Sequence, residues 1–120
     1  MVTREVLVID DDALTRWSLT QVLARAGYRV RAAASGAEGL AHAAESRPDL
    51  VLLDLYLGDE CGDTVLPSLR GAHPGLPVVM MSADATPETV RYLCGLGANG
   101  FLAKPCAASL LYALVAVLIA

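Results

Sequence analysis

Three consecutive aspartates, Asp10, Asp11 and Asp12, follow the apolar run at residues 6–9. Adjacent carboxylates repel one another, and a carboxylate beside a low-dielectric interior is costly unless a positive charge compensates it. Carboxylate oxygens are preferred ligands of Mg²⁺, which retains several waters and binds one or two acids together with a phosphate. The aspartates therefore predict a divalent cation at the end of this run.

Three more polar side chains directly follow other apolar runs, namely Asp54 in LVLLD, Ser82 in VVMMSAD and Lys104 in FLAKP. Beside a cation, Asp54 is suited to attack phosphorus and to form an acyl phosphate. Lys104 and the cation would neutralise charge on the transferred oxygens, and Ser82 would hydrogen-bond one of them. Together these residues predict phosphoryl-transfer chemistry.

These side chains meet only if the apolar runs are parallel strands of one sheet. The runs that predict strands are residues 6–9, 28–33, 50–53, 78–81 and 100–103. The segments between them show the apolar spacing of helices, and strands that alternate with helices imply a parallel sheet covered on both faces. We therefore predict a doubly wound α/β fold with five βα units, whose ligands bind at the carboxyl ends of the strands.

Local signals predict several helix boundaries. Gly27 ends the first helix, and Thr86 followed by Pro87 begins the fourth. Because proline is tolerated only near the start of a helix, Pro67 predicts a third helix that begins around Asp63 or is kinked. In the second helix, the predicted inward apolar stripe consists of Ala37, Leu40, Ala41 and Ala44.

The composition is typical of one ordinary domain. A chain of 120 residues is long enough for one hydrophobic core and too short for two, so we expect residues 1–120 to form a single domain without an output domain. Hydrophobic residues make up 55% of the chain and aromatic residues only 5%, which favours a core of Val, Leu, Ala and Ile. The net charge of −4 offers no basic surface, so direct nucleic-acid binding is not expected.

The cysteines and the start of the chain indicate the compartment. Cys61, Cys94 and Cys106 are far apart and form no CxxC pair, so we expect them to be reduced. The first residues show no long apolar stretch followed by a cleavage site, as a signal peptide would. A cytoplasmic location is expected.

The motifs VIDDD, LLDLYL, MMSAD and FLAKP follow one another as they do in the receiver domains of bacterial two-component response regulators. The chain resembles that family over essentially its whole length. The resemblance implies a flavodoxin-like strand order, 2-1-3-4-5, and a phosphoprotein of signal transduction. Its expected partner is a sensor histidine kinase or a phosphotransfer protein, and it would not be an enzyme beyond metal-assisted phosphorylation and dephosphorylation of itself.

Residue by residue, the resemblance implies that Asp54 is the phosphoacceptor and that Ser82 and Lys104 complete the phosphoryl site. It implies Mg²⁺ as the ion, with Mn²⁺ as an alternative. The implied metal ligands are Asp10, Asp11, Asp54 and the backbone carbonyl of Tyr56. Ser82 and Phe101 match the residues that reorient on activation and thereby switch the face formed by helix four, strand five and helix five.

Residues 106–120 contain no charged side chain, although a surface helix normally carries a polar face. The run is shorter than the roughly 20 apolar residues that span a bilayer, and it includes Ser109 and Tyr112, so membrane insertion is the weaker interpretation. An exposed apolar helix face usually marks an interface. We expect a homodimer through this last helix, or a downstream protein or missing output domain that covers it.

Two other functions are weighed against phosphorylation of Asp54. One is a receiver-like interaction module that is never phosphorylated, although such modules usually lack the acceptor or the lysine. The other is a phosphotransferase of the haloacid-dehalogenase type, which the pattern of Asp10 and Asp12 resembles. That family needs a later acidic motif, and no acid follows Lys104. Asp12 is better interpreted as the N-cap of the first helix.

Overall fold

Five parallel strands form the central sheet of the computed structural model, which describes residues 3–119. The strands are β1 (Glu5–Ile9), β2 (Arg29–Ala33), β3 (Leu50–Asp54), β4 (Val78–Ser82) and β5 (Gly100–Ala103). Their order in the sheet is β2-β1-β3-β4-β5, and every neighbouring pair is parallel. The predicted order 2-1-3-4-5 is confirmed. Residues 1, 2 and 120 of the predicted domain lie outside the described residues, and residue 120 is also the last residue of the predicted apolar segment 106–120.

Five helices cover the two faces of this sheet. They are α1 (Ala13–Arg25), α2 (Gly36–Glu45), α3 (Gly62–Ala72), α4 (Pro87–Gly95) and α5 (Ala108–Leu118). Side chains alternate along each strand, so that Leu7 and Ile9 of β1 pack with α2, α3 and α4, whereas Val6 and Val8 pack with α1 and α5. The doubly wound arrangement is confirmed. Within residues 3–119 the helices are too short, or too polar, to cross a bilayer.

The predicted boundaries agree closely with these elements. Gly27 follows α1 with φ of 95°, a conformation that glycine adopts at little cost. The Thr86 hydroxyl accepts a hydrogen bond of 3.3 Å from the Thr89 amide and caps α4. Helix α3 begins one residue before Asp63, although Pro67 lies inside it rather than in its first turn.

The predicted inward stripe of α2 is wrong. The buried residues of this helix are Gly36, Gly39 and Ala43, and Leu40 is only half-buried. A Cβ at position 39 would overlap the Ile9 side chain, so α2 lies directly against β1 through Gly39. Apolar periodicity misses such a face because glycine has no side chain to signal it. The other members of the predicted stripe, Ala37, Ala41 and Ala44, are exposed.

A short hairpin between β3 and α3 was not predicted from the sequence. Its antiparallel strands are Tyr56–Leu57 and Glu60–Cys61, and Gly58 turns the chain between them with φ of 66°. The Glu60 carboxylate accepts a hydrogen bond of 2.5 Å from the Gly36 amide at the start of α2. The hairpin thereby joins the end of β3 to the start of α2.

Gly62, the first residue of α3, lies directly against the end of β3. Its amide donates a hydrogen bond of 2.5 Å to the Leu55 carbonyl, and a Cβ at this position would overlap the Asp54 carbonyl oxygen. Backbone atoms cannot move aside as the end of a side chain can. The close approach of α3 to Asp54 therefore requires glycine at position 62.

We expect Gly62→Ala to lower the free energy of unfolding by roughly 1–3 kcal/mol, because the added methyl group overpacks the end of β3. The matched control is Gly71→Ala in the same helix, where a Cβ would meet no atom within 4 Å. That variant should be neutral or more stable by up to about 1 kcal/mol, because alanine favours helix. Urea unfolding measures both, and equal effects would contradict this account of Gly62.

Candidate functional site

The carboxylates of Asp10, Asp11 and Asp54 lie together at the carboxyl edge of the sheet, with one oxygen of each within 4.8 Å of the others. Asp10 follows β1 directly, and Asp54 is the last residue of the neighbouring strand β3. The extended strands end side by side, which brings acids distant in sequence into one cluster. The structure thus brings together the carboxylates that the sequence predicted to meet.

Lys104 bridges two of these acids from the far side of the sheet. Its Nζ donates a hydrogen bond of 2.7 Å to Asp10 Oδ2 and one of 3.0 Å to Asp54 Oδ2. Asp10 is fully buried, whereas Asp54 keeps 6% of its surface exposed. The remaining carboxylate oxygens accept from backbone amides: Asp10 Oδ1 from Asp12 at 2.9 Å, and Asp54 Oδ1 from Tyr56 at 3.3 Å.

Burial and the neighbouring charges perturb the ionisation of this site. Burial raises the pKa of Asp54, and the negative charge of Asp10 adds to the rise, while the hydrogen bond from Lys104 opposes it. Burial alone would lower the pKa of Lys104, but its hydrogen bonds to Asp10 and Asp54 outweigh burial, so that its pKa is raised. Lys104 therefore stays a cation and favours the ionised form of Asp54.

Ser82 and Phe101 occupy the strands nearest to Lys104. Ser82 is the fully buried last residue of β4, and its Oγ accepts a hydrogen bond of 2.9 Å from the Asp84 amide. Phe101 on β5 is half-buried against the core cluster on the α4 side of the sheet. Neither side chain bonds to the acids within the described residues, so both stand beside the cluster rather than in it.

Asp12 is the N-cap of helix α1 and is not a member of the carboxylate cluster. Its Oδ2 accepts hydrogen bonds of 2.9 Å from the Thr15 amide and 2.5 Å from the Thr15 hydroxyl. These bonds also lower the pKa of Asp12 below its ordinary value of 3.8. The capping role of Asp12 is confirmed.

Arg16 is a member of the site that sequence reasoning missed. One turn into α1, its Nη1 donates a hydrogen bond of 2.8 Å to the backbone carbonyl of Asp10. Arg16 lies one helical turn after Asp12 and therefore on the same side of α1. Arginine is common in the first turns of helices, so its presence in the sequence does not predict a bond to the Asp10 carbonyl. The bond depends on α1 lying over the end of β1, which local spacing does not encode.

A groove of about 430 Å³ opens beside Lys104, between α1 and the segment after β5. Its lining is mostly apolar and includes Leu14, Leu19, Met81, Pro105 and Cys106. Cys106 is half-buried, and Cys61, Cys94 and Cys106 are all free thiols, in agreement with the predicted absence of disulfides.

The donor set of the cluster fits Mg²⁺. Its side-chain donor atoms are all carboxylate oxygens, one buried, one nearly buried and one exposed, which suits a hard cation that keeps part of its water shell. No sulfur or imidazole ligand joins the cluster within the described residues. The Tyr56 backbone begins the hairpin two residues beyond Asp54, and its ring is exposed.

The chain matches the family model described as the response regulator receiver domain over residues 6–116. It is 41% identical over 100 residues to the DNA-binding transcriptional regulator NtrC of Rhizobium meliloti, a match that covers 83% of this chain and 21% of that protein. It is 40% identical over 104 residues to the DNA-binding response regulator MtrA of Mycolicibacterium paratuberculosis, covering 85% of this chain and 45% of that protein.

Solved structures show the same fold. The chemotaxis protein CheY4 of Vibrio cholerae superimposes with a TM-score of 0.93 at 28% identity, covering 98% of this chain and 99% of that chain. The receiver domain of NtrX from Brucella abortus gives a TM-score of 0.90 at 31% identity, covering 95% and 97%. The chain therefore belongs to the response regulator receiver domain family. It spans less than half the length of the two regulators named above.

We expect Asp12→Ala to lower the melting temperature at pH 7, because the first turn of α1 loses its cap. The ionised cap has a lowered pKa in the folded state, so its stabilisation is full above the ordinary value of 3.8 and is lost as the pH falls through the lowered pKa. The difference from wild type, followed by circular dichroism, should shrink in that acidic range. Asp12→Asn, which keeps an acceptor oxygen, should lose less stability than Asp12→Ala. Equal losses in the two variants would contradict capping by the Asp12 side chain.

Proposed function

We propose that this receiver domain accepts a phosphoryl group on Asp54 in the presence of Mg²⁺. The observation that carries the proposal is the position of Lys104, whose ammonium bridges Asp10 and Asp54 beside the exposed Asp11. One cation, one accessible carboxylate and two further acids at a single sheet edge are the components that phosphoryl transfer to a carboxylate requires.

Asp10, Asp11 and Asp54 would hold Mg²⁺, or Mn²⁺ in its place, together with the backbone carbonyl of Tyr56. Bound there, the ion would supply positive charge for the acids and for the oxygens of the transferred group. Asp10 is anchored by hydrogen bonds to both carboxylate oxygens, whereas Asp11 is exposed and Asp54 is reached through its exposed edge. A phosphodonor would reach Asp54 at the 6% of its surface that stays exposed.

The transfer step follows from these positions. An Asp54 carboxylate oxygen attacks the phosphorus of a phosphohistidine, a P–O bond forms, and the P–N bond breaks with its electron pair going to the imidazole nitrogen. Lys104 favours the ionised nucleophile before the step and faces the transferred oxygens after it. The Ser82 hydroxyl leaves the Asp84 amide and donates a hydrogen bond to one of those oxygens.

A sensor histidine kinase or a histidine phosphotransfer protein is the proposed donor. The groove lies beside Lys104, which bonds to Asp54, and α1 presents Leu14 and Trp17 with 72% and 62% of their surface exposed. Exposed apolar side chains of this size mark a contact surface. A helix that carries the phosphohistidine would bring its imidazole to Asp54 from this side.

The proposed output is a change of the face formed by α4, β5 and α5. The Asp84 carboxylate accepts hydrogen bonds of 3.3 Å from the Thr86 amide and 3.0 Å from the Thr89 hydroxyl, both at the start of α4. When Ser82 moves toward the phosphoryl group it releases the Asp84 amide, so the first turn of α4 is free to shift, and Phe101 reorients beside it. Phosphorylation would thus bias a population between two states of this face.

Helix α5 is the proposed contact with a second copy of the chain. Its outer side exposes Leu110 by 55% and Val117 by 77%, and residues 106–120 carry no charge. A face of this kind is normally covered. A homodimer through α5 covers it, and an output domain or a downstream protein is the alternative cover, since the named relatives are much longer chains.

The competing functions account for fewer observations. In a haloacid-dehalogenase mechanism Asp12 would act on substrate, but its carboxylate is engaged in capping α1. A module that is never phosphorylated would have no use for Lys104 bridging two buried acids beside Asp11. We infer that the domain turns over no metabolite and acts catalytically only on its own phosphorylation state.

The first experiment measures the intact mass of the protein after incubation with acetyl phosphate and Mg²⁺. We expect one phosphoryl adduct on the wild type and none on Asp54→Asn or in the absence of metal. Asp59→Asn is the matched control, because it makes the same change of charge on the exposed hairpin turn and should keep the adduct. If the wild type binds Mg²⁺ but stays unmodified by acetyl phosphate and by a phosphohistidine protein, the interaction module is the better description.

The dimer is tested by sedimentation velocity of the wild type and of Val117→Lys. Placing a charge in an apolar interface should weaken dimerisation at least about tenfold. Leu14→Lys is the control, since Leu14 is exposed to a similar degree but lies on α1, and this variant should leave the dimer intact. A wild type that stays monomeric at high concentration would leave the α5 face to a downstream segment or partner.

A further inference from the structure

Arg16 contacts the acidic site through the backbone and not through a carboxylate. Its Nη1 donates a hydrogen bond of 2.8 Å to the carbonyl oxygen of Asp10, and its own position is fixed by the α-helical bond of 3.0 Å from its amide to Asp12. Lys104, in contrast, bonds directly to the side chains of Asp10 and Asp54. The two cations of the site therefore act on different parts of it.

The carbonyl that Arg16 holds belongs to the peptide group that joins Asp10 to Asp11. Because a peptide group is planar, fixing its oxygen also fixes the direction in which the chain enters Asp11. The preceding peptide group is held separately, because the Asp10 amide donates a hydrogen bond of 3.1 Å to the Ala33 carbonyl of β2. Arg16 is thus the residue that sets the orientation of the Asp10–Asp11 peptide from the helix side.

Asp11 depends on this restraint more than its neighbours do. Asp10 and Asp54 are held through both carboxylate oxygens, but in residues 3–119 the Asp11 carboxylate has no hydrogen bond or ion pair and is exposed. It still lies within 4.8 Å of the other two acids. Its backbone is therefore what keeps it near the cluster.

The charge of Arg16 also suits this position. A guanidinium beside three consecutive aspartates offsets their mutual repulsion, and its bond to a carbonyl leaves every carboxylate oxygen of Asp11 free. A lysine or arginine paired with Asp11 itself would compete with a metal ion for the same oxygens. Arg16 compensates the charge without occupying a ligand position.

We propose that Arg16 is a positioning residue that holds Asp11 ready for Mg²⁺ and thereby sets the affinity of the site for the ion, an inference that rests on the proposed metal site. It touches neither the ion nor the phosphoryl group. Groups that orient metal ligands from outside commonly change metal affinity by about 10-fold to 100-fold when they are removed.

Isothermal titration calorimetry with Mg²⁺ alone tests the proposal. Arg16→Gln should raise the dissociation constant for Mg²⁺ about tenfold. Arg16→Lys keeps the charge without the planar guanidinium, so its dissociation constant should lie between those of Arg16→Gln and the wild type. Arg25→Gln is the matched control: it removes the same charge from the opposite end of α1 and should bind as the wild type does. In an Asp11→Asn background, Arg16→Gln should change the affinity little, because the two residues act through one ligand.

Thermal unfolding and phosphorylation separate positioning from a structural tie between α1 and β1. Positioning predicts that Arg16→Gln reaches nearly the wild-type rate of phosphorylation by acetyl phosphate once Mg²⁺ is saturating. A lower melting temperature with an unchanged Mg²⁺ affinity, or equal affinities of Arg16→Gln and Arg25→Gln, would overturn the role of Arg16 and leave the proposed function standing. A wild type that does not bind Mg²⁺ would overturn both.

Discussion

The burial of the Asp10 carboxylate is the constraint on which this structure depends. A fully buried charge costs several kcal/mol unless it is paired and hydrogen-bonded, and Asp10 lies at the end of an interior strand with no exposed surface. Its compensating cation, Lys104, follows β5, and two strands separate β5 from β1 in the sheet. The long lysine side chain spans that distance, so the ends of the first and last strands must stay in register.

The three acids of the site differ in their hydrogen bonds and exposure, and these differences suit them to different roles. Asp10 is buried and bonded through both oxygens, so it anchors Lys104 and the loop to α1. Asp54 shares the same ammonium but keeps an exposed edge, which is the condition for reaction with a donor. Asp11 is exposed and without a side-chain partner among the described residues, which leaves its oxygens free for an ion.

Much of the site could be predicted because strand ends are readable in the sequence. Four of the five apolar runs are followed by a polar residue, and a parallel sheet places those ends on one edge, which is why Asp10, Asp54, Ser82 and Lys104 could be predicted to lie together. Asp12 was assigned correctly because capping is a local interaction. The features that were not predicted are contacts between separate elements, which the apolar periodicity of the sequence does not indicate.

Three of those contacts show why. Helix α2 contacts the sheet through Gly39 and α3 through Gly36, and glycine carries no apolar signal. Gly62 is required because the backbone at the end of β3 leaves no room for a Cβ. Nothing in the neighbouring sequence distinguishes it from an ordinary loop glycine. Arg16 reaches a backbone oxygen, and backbone acceptors are present at every position. Each depends on where two elements meet in space.

The path from the site to the surface follows from how α4 is held. At its start, α4 is tied to the Ser82 loop through Asp84, and along its length the Tyr92 hydroxyl donates a bond of 2.7 Å to Asp63 of α3. These ties lie near solvent, where exchanging a hydrogen bond for one to water costs little. Leu93, by contrast, is buried in the core cluster that Phe101 also contacts. In the proposed switch, α4 can therefore change its polar ties while its buried side keeps contact with the sheet, so a small movement of Ser82 suffices to re-aim the helix.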